Sequence, residues 1–373
     1  MKSLPPLADK LCLLAVCVAG WPLSLSAQAL EAPPAVDWKR ANEAVAEFPR
    51  GHADVLKWEQ QQVTAAAPAD TGATAVGGLS LPSAEAAVRQ GWLAHRGLIQ
   101  PQNRMGTANV ALLAQGRWIE VDPSLQRRVH DAGELLEVAA QARKAWVQAV
   151  AARQVLASHR MALQAAEAAN ELGRRMVSVG NWSKLQQTQV QLAQTNARMN
   201  LRRAEYAAAQ AEAALIQTLR LTGQHAFLQL PDRLPDLPAQ ILTPQQIDAR
   251  AAAIAAQLPR TEAQRNAALV RQARHAYEAS HALARATRDE VVATRELIGE
   301  ETLLRYNGML KSVWDVLAES ANHSQALVAA VEAQRDFWLA EADVQWVLQG
   351  GAPTSFVSLG GGGGGESAAP AGH

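Results

Sequence analysis

The sequence predicts an all-α protein built from long antiparallel coiled-coil helical hairpins that occur twice in the chain. The first observation is the composition, in which Ala, Gln, Leu, Arg and Glu recur while aromatic residues make up only 5%. This is typical of long helices packed through small side chains. The second observation is a proline-free stretch from 131 to 221 with a helical pattern on both sides of a turn near Gly180. The third is an internal duplication.

The duplication needs no gaps over its downstream half. GNWS at 180–183 aligns with MLKS at 309–312, which lies 129 residues later (309 − 180), and this register holds to the end of the following helix. Upstream, QARKAW at 141–146 matches QARHAY at 272–277. Solenoid repeats have periods of about 20–50 residues, so this longer period predicts two copies of a helical hairpin.

The N-terminus predicts an export signal peptide at residues 1–29. Lys2 and Lys10 flank a polar opening, an apolar run follows at 11–20, and Ala27-Gln28-Ala29 is a typical cleavage site. The apolar run is about half of the ~20 residues that a transmembrane helix requires. Both cysteines, Cys12 and Cys17, lie in this signal, so the mature chain is predicted to lack disulfides and cysteine metal ligands. Whether Cys17 is lipidated stays open.

Changes in composition divide the remaining chain into further parts. The segment 230–244, with four prolines, cannot form a helix and predicts a connector between the two repeats. A glycine run near the C-terminus predicts flexibility. The predicted parts are an N-terminal extension at 30–82, a first repeat at 83–229, the Pro-rich connector at 230–243, a second repeat at 244–351 and a flexible Gly-rich tail at 352–373.

The expected elements follow in chain order. Short helices are predicted at 37–62 and 83–95. Residues 99–128 hold the only strand-like content, because TANVALLA and RWIEVD flank Gln115-Gly116 in a pattern typical of a β-hairpin. Thr243 with Gln246 forms a capping box with Pro at the first helical position. Long helices are predicted at 131–177, 183–221, 260–305 and 312–348.

Apolar residues seven apart predict the seams of the coiled-coil hairpins. In the first copy these are Leu185, Leu192, Met199 and Tyr206. The intermediate positions are Thr188, Thr195, Ala209 and Ile216, and the second copy has Trp314, Leu317, Ala321, Val328, Val331 and Trp338.

Each hairpin contains turn chemistry between its two helices. Ser183 with Gln186, and Ser312 with Asp315, have the spacing of capping boxes that start the second helix. Gly180-Asn181 and Asn307-Gly308 are predicted to reverse the chain through left-handed backbone angles.

These turns carry a family resemblance. RYNGMLKSVWDVL at 305–317 resembles the RYxxGxxSxxDVL turn of the TolC-type outer-membrane efflux family, and RRMVSVGNWSKL at 174–185 resembles its first-repeat counterpart. The resemblance covers roughly 83–351. The segments at 288–310 and 332–345 resemble a branch associated with copper resistance and multicopper oxidases, so heavy-metal resistance is an expectation from resemblance alone.

The resemblance implies a homotrimer whose hairpins form a hollow helical tunnel in the periplasm or outer membrane of a Gram-negative bacterium. An adaptor protein of an efflux pump is expected to dock at the turns, and an acidic entrance is expected beside the second turn. There Asp315 matches one acidic position, Ala318 occupies the next with Glu319 beside it, and Gln186 stands where an acid would pair with Lys311. The expected docking and entrance residues are Val179, Gly180, Asn181, Trp182, Ser183, Tyr306, Asn307, Gly308, Met309, Lys311, Ser312 and Asp315.

One departure from the family leaves the function open. The membrane β-barrel hairpins of the family are largely missing, since only 107–122 could supply strands and the region after Pro259 has a helical pattern. The leading expectation is an efflux component that docks an adaptor. The alternative is a barrel-less periplasmic coiled-coil protein with a structural or regulatory role, binding adaptors or complete homologues.

Composition and spacing argue against other classes of function. The formal net charge is zero, so no electrostatic footprint for nucleic acid is expected. The nine histidines show no i, i+4 pair typical of a metal site, and no metal or cofactor is expected. No nucleophile, base and oxyanion arrangement is visible, so an enzyme is not expected. The transported substrate is not encoded in any recognisable motif.

Overall fold

The computed structural model describes residues 78–221 and 227–359. Within them the fold is all-α, with two long antiparallel helical hairpins, as the sequence predicted. All of these residues belong to one compact unit, Ala75–His373. The signal peptide, the expected helix at 37–62 and residues 360–373 lie outside the described residues.

Four short helices precede the first hairpin: α1 (Ala84–Ala94), α2 (Ile99–Met105), α3 (Thr107–Gln115) and α4 (Leu125–Arg128). The predicted β-hairpin is therefore wrong. Gly116 has the left-handed backbone expected of a turn residue, with φ of 84°, but it caps α3 instead of linking two strands. Leu113 is buried there and its carbonyl accepts a hydrogen bond from the Trp118 indole. Helical packing of this apolar face outweighs the local strand pattern.

The first hairpin consists of α5 (Ala132–Ser178) and α6 (Lys184–Thr218), with 47 and 35 residues. At 1.5 Å per residue these helices are about 70 and 50 Å long. α1 packs on α5 near its start, where the Trp92 indole donates to the Leu135 carbonyl across 3.0 Å. The main hydrophobic cluster therefore lies at the end of the hairpin that is remote from the turn.

The second hairpin consists of α7 (Pro244–Ala255), α8 (Arg260–Ala286), α9 (Ala293–Asn307) and α10 (Val313–Val347). A π-helical turn at Thr287–Val292 joins α8 to α9. The sequence predicted one continuous helix here. The inserted turn keeps both Thr287 and Val292 buried, so it realigns the buried face along α10.

Residues 230–243 form no helix, as their prolines predicted. They cross one face of α5 and α10, where Gln334 and Trp338 both donate to the Pro235 carbonyl, at 2.6 and 3.0 Å. A two-residue parallel strand pair, β1 (Leu79–Ser80) and β2 (Leu228–Gln229), is the only sheet within the described ranges.

The two hairpins meet where α5 packs on α10, and buried ion pairs cross this contact. Lys144 Nζ lies 2.7 Å from Asp343 Oδ1, and Arg143 Nη2 lies 3.3 Å from Glu341 Oε2. Burial raises the pKa of both the Glu341 and the Asp343 carboxyl, while the neighbouring cations oppose this shift. The pairs fix the sliding register of one hairpin against the other, because each buried charge would be costly without its partner.

The heptad stripe of α6 does not form the seam of its own hairpin. Leu185, Leu192, Met199 and Tyr206 are 69%, 59%, 45% and 71% exposed, so the predicted packing is wrong. Ala204, Ala208 and Leu215 are buried in α6 instead, and the two alanines allow α6 to approach α5 closely. The stripe points away from α5 and lacks a partner within the described chain.

Candidate docking tips and concave face

The two hairpin turns share one backbone pattern. In the first turn Gly180 has φ of 77° and donates to the Val177 carbonyl, and in the second Met309 has φ of 58° and donates to the Tyr306 carbonyl. Each turn also has the longer hydrogen bond of a Schellman motif. The Asn181 amide donates to the Met176 carbonyl across 2.9 Å, and the Leu310 amide donates to the Arg305 carbonyl across 2.8 Å. Gly180 and Met309 are related by the 129-residue repeat register (309 − 180).

The sequence placed the second left-handed residue at Asn307-Gly308, and this is wrong. Asn307 ends α9, and Gly308 has φ of −82°. In the first turn the left-handed residue is Gly180 and not Asn181. The Asn307-Gly308 pattern therefore predicted the reversal one residue too early, because the chain reverses at Met309.

Both predicted capping boxes are present. The Ser183 amide donates to Gln186 Oε1 across 3.0 Å, and the Ser312 amide donates to Asp315 Oδ2 across 2.8 Å. The Ser312 amide and hydroxyl, followed by Lys311, lower the pKa of the Asp315 carboxyl. Asp315 is therefore a stable anion that starts α10 and faces the positive end of that helix.

Large apolar side chains are exposed at both turns. Met309 is 94% exposed, Leu310 78%, Val179 67% and Tyr306 41%. Contiguous exposed apolar surface of this kind marks an interaction site. Leu310 was absent from the predicted site. It occupies the same position in the second repeat as Asn181 in the first, and this alignment with a predicted site residue could have identified it.

A stacked tryptophan pair joins the two hairpins beside the turns. The rings of Trp182 and Trp314 have centroids 3.8 Å apart and an interplanar angle of 28°. Gly173, inside α5, leaves room for this pair, since a Cβ there would lie 3.3 Å from Trp182 Cζ3. The sequence placed Trp182 at the turn and Trp314 in a seam, so their contact was not predicted.

The expected entrance residues do not all lie together. Glu319, next to Ala318, is buried, with its Oε2 3.3 Å from Arg295 Nη1 on α9. Lys311, in the turn, pairs with Asp315 on the following helix α10, with Nζ 3.3 Å from Oδ1. Of the acids considered near the second turn, Asp315 remains accessible, and Lys311 makes no contact with Gln186 in the described structure.

One side of α5 forms the floor of a concave face whose walls are α6 and α10. A series of cavities follows it from the Trp182–Trp314 pair upward, with volumes of about 500, 410, 580 and 560 Å³. The connector and α1 pack on the opposite side of α5. Floor residues include Gln148, Ala152, Val155, His159, Ala162, Ala166 and Ala169.

The described residues contain no group of three or more His, Cys, Asp or Glu side chains that could hold a metal ion. His281 is buried against Phe337, with ring centroids 5.3 Å apart. His159 lies on the concave face, where burial lowers its pKa. None of the described helices combines the length and apolar character needed to span a membrane.

Comparison with known proteins gave neither a matching family model nor a matching curated protein. Several solved structures are similar, among them the following three. A membrane protein from Pseudomonas aeruginosa has a TM-score of 0.46 and 13% identity, covering 65% of this chain and 73% of its own. CusC, described in terms of folding and transmembrane channel formation, has a TM-score of 0.45 and 11% identity, covering 66% of this chain and 74% of its own. The outer membrane protein VceC from Vibrio cholerae has a TM-score of 0.43 and 14% identity, covering 65% of this chain and 76% of its own. At these values the similarities do not assign the chain to a family.

Proposed function

We propose that this chain is an exported helical-tunnel component of an efflux machinery, which assembles from three copies and docks an adaptor protein at its turns. The observation that carries the proposal is the pair of equivalent turns at one end of the duplicated hairpins. They are joined by the Trp182–Trp314 stack and expose Val179, Met309 and Leu310 together. The resemblance of both turns to those of the TolC-type family supports the same assignment, and outer-membrane or periplasmic location follows from it.

Self-assembly is supported by two unpartnered apolar stripes on opposite edges of the chain. One is the α6 stripe. The other, here called the α9 stripe, consists of Leu297 and Leu304, which are seven residues apart on α9 and are 59% and 63% exposed. Full burial of such a side chain is worth about 1.5–3 kcal/mol, so the two stripes together favour association.

The residues of the two stripes lie at matching distances from the turns of their hairpins. Leu185 lies 5 residues after Gly180 (185 − 180), and Leu304 lies 5 residues before Met309 (309 − 304). Leu192 and Leu297 are both 12 residues from the same landmarks (192 − 180 and 309 − 297). The α6 stripe of one copy can therefore pack antiparallel on the α9 stripe of the next.

Such a contact uses different surfaces on the two copies. It is heterologous, so repetition closes a ring when the rotation per copy allows it. The concave face of α5, α6 and α10 then lines the interior, because the connector and α1 cover the opposite side of α5. Three copies per ring is the number that the family resemblance implies.

The oligomer is tested by native mass spectrometry of the mature protein in detergent and without it. We expect three copies, and single copies for Leu192→Glu. Met161→Glu is the matched control, because Met161 is an apolar residue on α5 that is 53% exposed outside the stripes. Retention of the wild-type oligomer by Leu192→Glu would overturn the proposed assembly.

Adaptor docking is tested by a photo-crosslinking amino acid at position 310 in cells that express a periplasmic pump adaptor. We expect a crosslink to the adaptor from position 310 and none from position 262, an exposed site at the far end of α8. Absence of the crosslink with the oligomer intact would exclude docking at the turns.

The helix at Thr107–Gln115, in place of the predicted strands, favours a second candidate. This is a periplasmic coiled-coil protein with a structural or regulatory role that binds adaptors or complete homologues. Cell fractionation separates the two candidates. Recovery of heat-resistant trimers from outer membranes supports the efflux component, whereas recovery of the mature protein in the detergent-free periplasmic fraction supports the second candidate.

A further inference from the structure

The segment Gly351–Leu359, here called the strap, reverses direction after α10 and returns along the concave face. Gly350 has φ of 81°, and the Gly350 and Gly351 amides donate to the carbonyls of Val347 and Trp346 across 2.9 and 3.0 Å. This is a Schellman arrangement. A Cβ on Gly351 would overlap the Trp346 indole, so both glycines are required for the reversal.

Apolar residues hold the strap against the helices. Pro353 is buried, Phe356 packs on the hydrophobic cluster of α7, α8 and α10, and Val357 packs on both this cluster and the one centred on α5. Val357 and Ser358 line the cavity of about 580 Å³ together with residues of the floor and of both walls. The strap therefore narrows the concave face at the end remote from the turns.

The attachment of the strap is weak compared with that of the helices. No hydrogen bond joins residues 352–359 to any other part of the described chain, and Phe356 and Val357 are each only partly buried. Segments with few buried contacts and no backbone pairing open at low free-energy cost. The strap can therefore leave the concave face while α5, α6 and α10 remain folded.

We propose that the strap is a movable restrictor of the passage formed by the concave faces. When it is seated, it narrows the interior of each copy at the level of Gln148 to Val155. When it is withdrawn, the interior has the width set by the helices alone. This inference rests on the proposed function, because it requires the concave face to line a passage.

The position of the strap is tested in the mature chain, which is predicted to have no cysteine and therefore provides a clean background. Ala152→Cys with Ser358→Cys places one thiol on the floor and one on the strap, both in the same cavity. A short bis-maleimide is expected to join them. Ala152→Cys with Glu300→Cys is the control, since Glu300 is exposed on α9, and it should not crosslink.

The effect on passage is tested in cells that depend on this protein for export. Crosslinking the 152/358 pair is expected to raise ethidium accumulation several-fold toward the level of cells without the protein. Removal of residues 352–373 is expected to sensitise cells to vancomycin, whereas removal of 360–373, which leaves the strap intact, should have no such effect.

The outcomes separate the two proposals. If the oligomer forms and exports ethidium, but neither locking nor removing the strap changes passage, the restrictor is overturned and the proposed function stands. Failure of the 152/358 pair to crosslink also overturns it. If cells with the wild-type protein export nothing, the proposed function and the restrictor fail together.

Discussion

A methionine occupies a backbone conformation that its glycine counterpart adopts without strain. Met309 has φ of 58°, and Gly180 holds the equivalent position in the first turn with φ of 77°. Left-handed angles cost an ordinary L-residue roughly 1–2 kcal/mol. The exposure of Met309, which is 94%, shows that its side chain returns no packing energy to this chain. Met309 is therefore strained without a stabilising contact in its own chain, which is consistent with a contact between Met309 and another molecule.

Met309→Gly is expected to stabilise the protein by about 0.5–1 kcal/mol, because the strain disappears and the gain exceeds the added entropy of the unfolded chain. Asn307→Gly is the control and should destabilise by a similar amount, since Asn307 is helical. Urea denaturation of both variants measures the difference. A loss of stability in Met309→Gly would contradict the strain argument.

The buried carboxyl of Glu341 makes a contribution to stability that depends on pH. Burial raises its pKa, with Arg143 opposing the shift. A raised folded-state pKa means that the folded protein holds the proton more strongly, so this contribution is fully present below the unfolded pKa and is lost as pH rises through the folded pKa. Carboxyls with lowered pKa, such as Asp315, act in the opposite direction, so a comparison with a variant is needed.

We therefore expect Glu341→Gln to lack this component. The difference in unfolding free energy between wild type and Glu341→Gln should change in favour of the variant as pH is raised from the ordinary carboxyl range toward neutrality. Urea titrations across that range measure it. A difference independent of pH would show that Glu341 titrates normally.

At the scale of the elements, the contact between α5 and α10 depends on buried charge. Asp343→Ala leaves Lys144, which is 25% exposed, without its partner, and an unsatisfied, partly buried donor of this kind costs about 1–3 kcal/mol. Adding Lys144→Met should restore most of that loss, because an apolar side chain replaces the unpaired ammonium. Asp289→Ala, at an exposed pair, should change stability by less than about 0.5 kcal/mol. Failure of the double variant to recover would exclude the pairing argument.

Local signals in the sequence predicted the helix starts well. The capping boxes at Ser183, Thr243 and Ser312 all form, because cap residues satisfy amides only a few positions away and need no distant partner. The strand pattern around Gly116 failed, since the same residues gain more from burial of a helical face on the rest of the fold. The strap was not predicted, because its docking depends on cavities that three distant helices create.

The heptad stripe of α6 shows a different limit of sequence reasoning. A seven-residue apolar repeat predicts that a helix has a partner, but it does not say whether that partner belongs to the same chain. The small residues Ala204 and Ala208, in another heptad position, mark the contact with α5. The internal edge also includes the fully buried Leu215, so residue size alone does not distinguish the internal contact from the free edge.

At the scale of the whole molecule, the matched stripes predict the direction of assembly. In a head-to-tail ring every interface contains Leu192 of one copy and Leu297 of the next. Leu192→Glu and Leu297→Lys alone are each expected to prevent assembly, while the double variant should recover part of it, since every interface then carries one opposite-charge pair. Native mass spectrometry measures this recovery. If α6 instead packed on α6 of another copy, the double variant would stay as single chains.

The repeated turn has a consequence for any partner of such a ring. Both turns have the same backbone shape, but the residues at the reversal are Gly180 and Asn181 in the first repeat and Met309 and Leu310 in the second. A ring of three chains would present six protrusions of equal form in two alternating chemistries, with Gly180-Asn181 at the reversal of one and Met309-Leu310 at the reversal of the other. A docking protein would then encounter threefold and not sixfold symmetry, and two of its own subunits could bind neighbouring protrusions with unequal affinity.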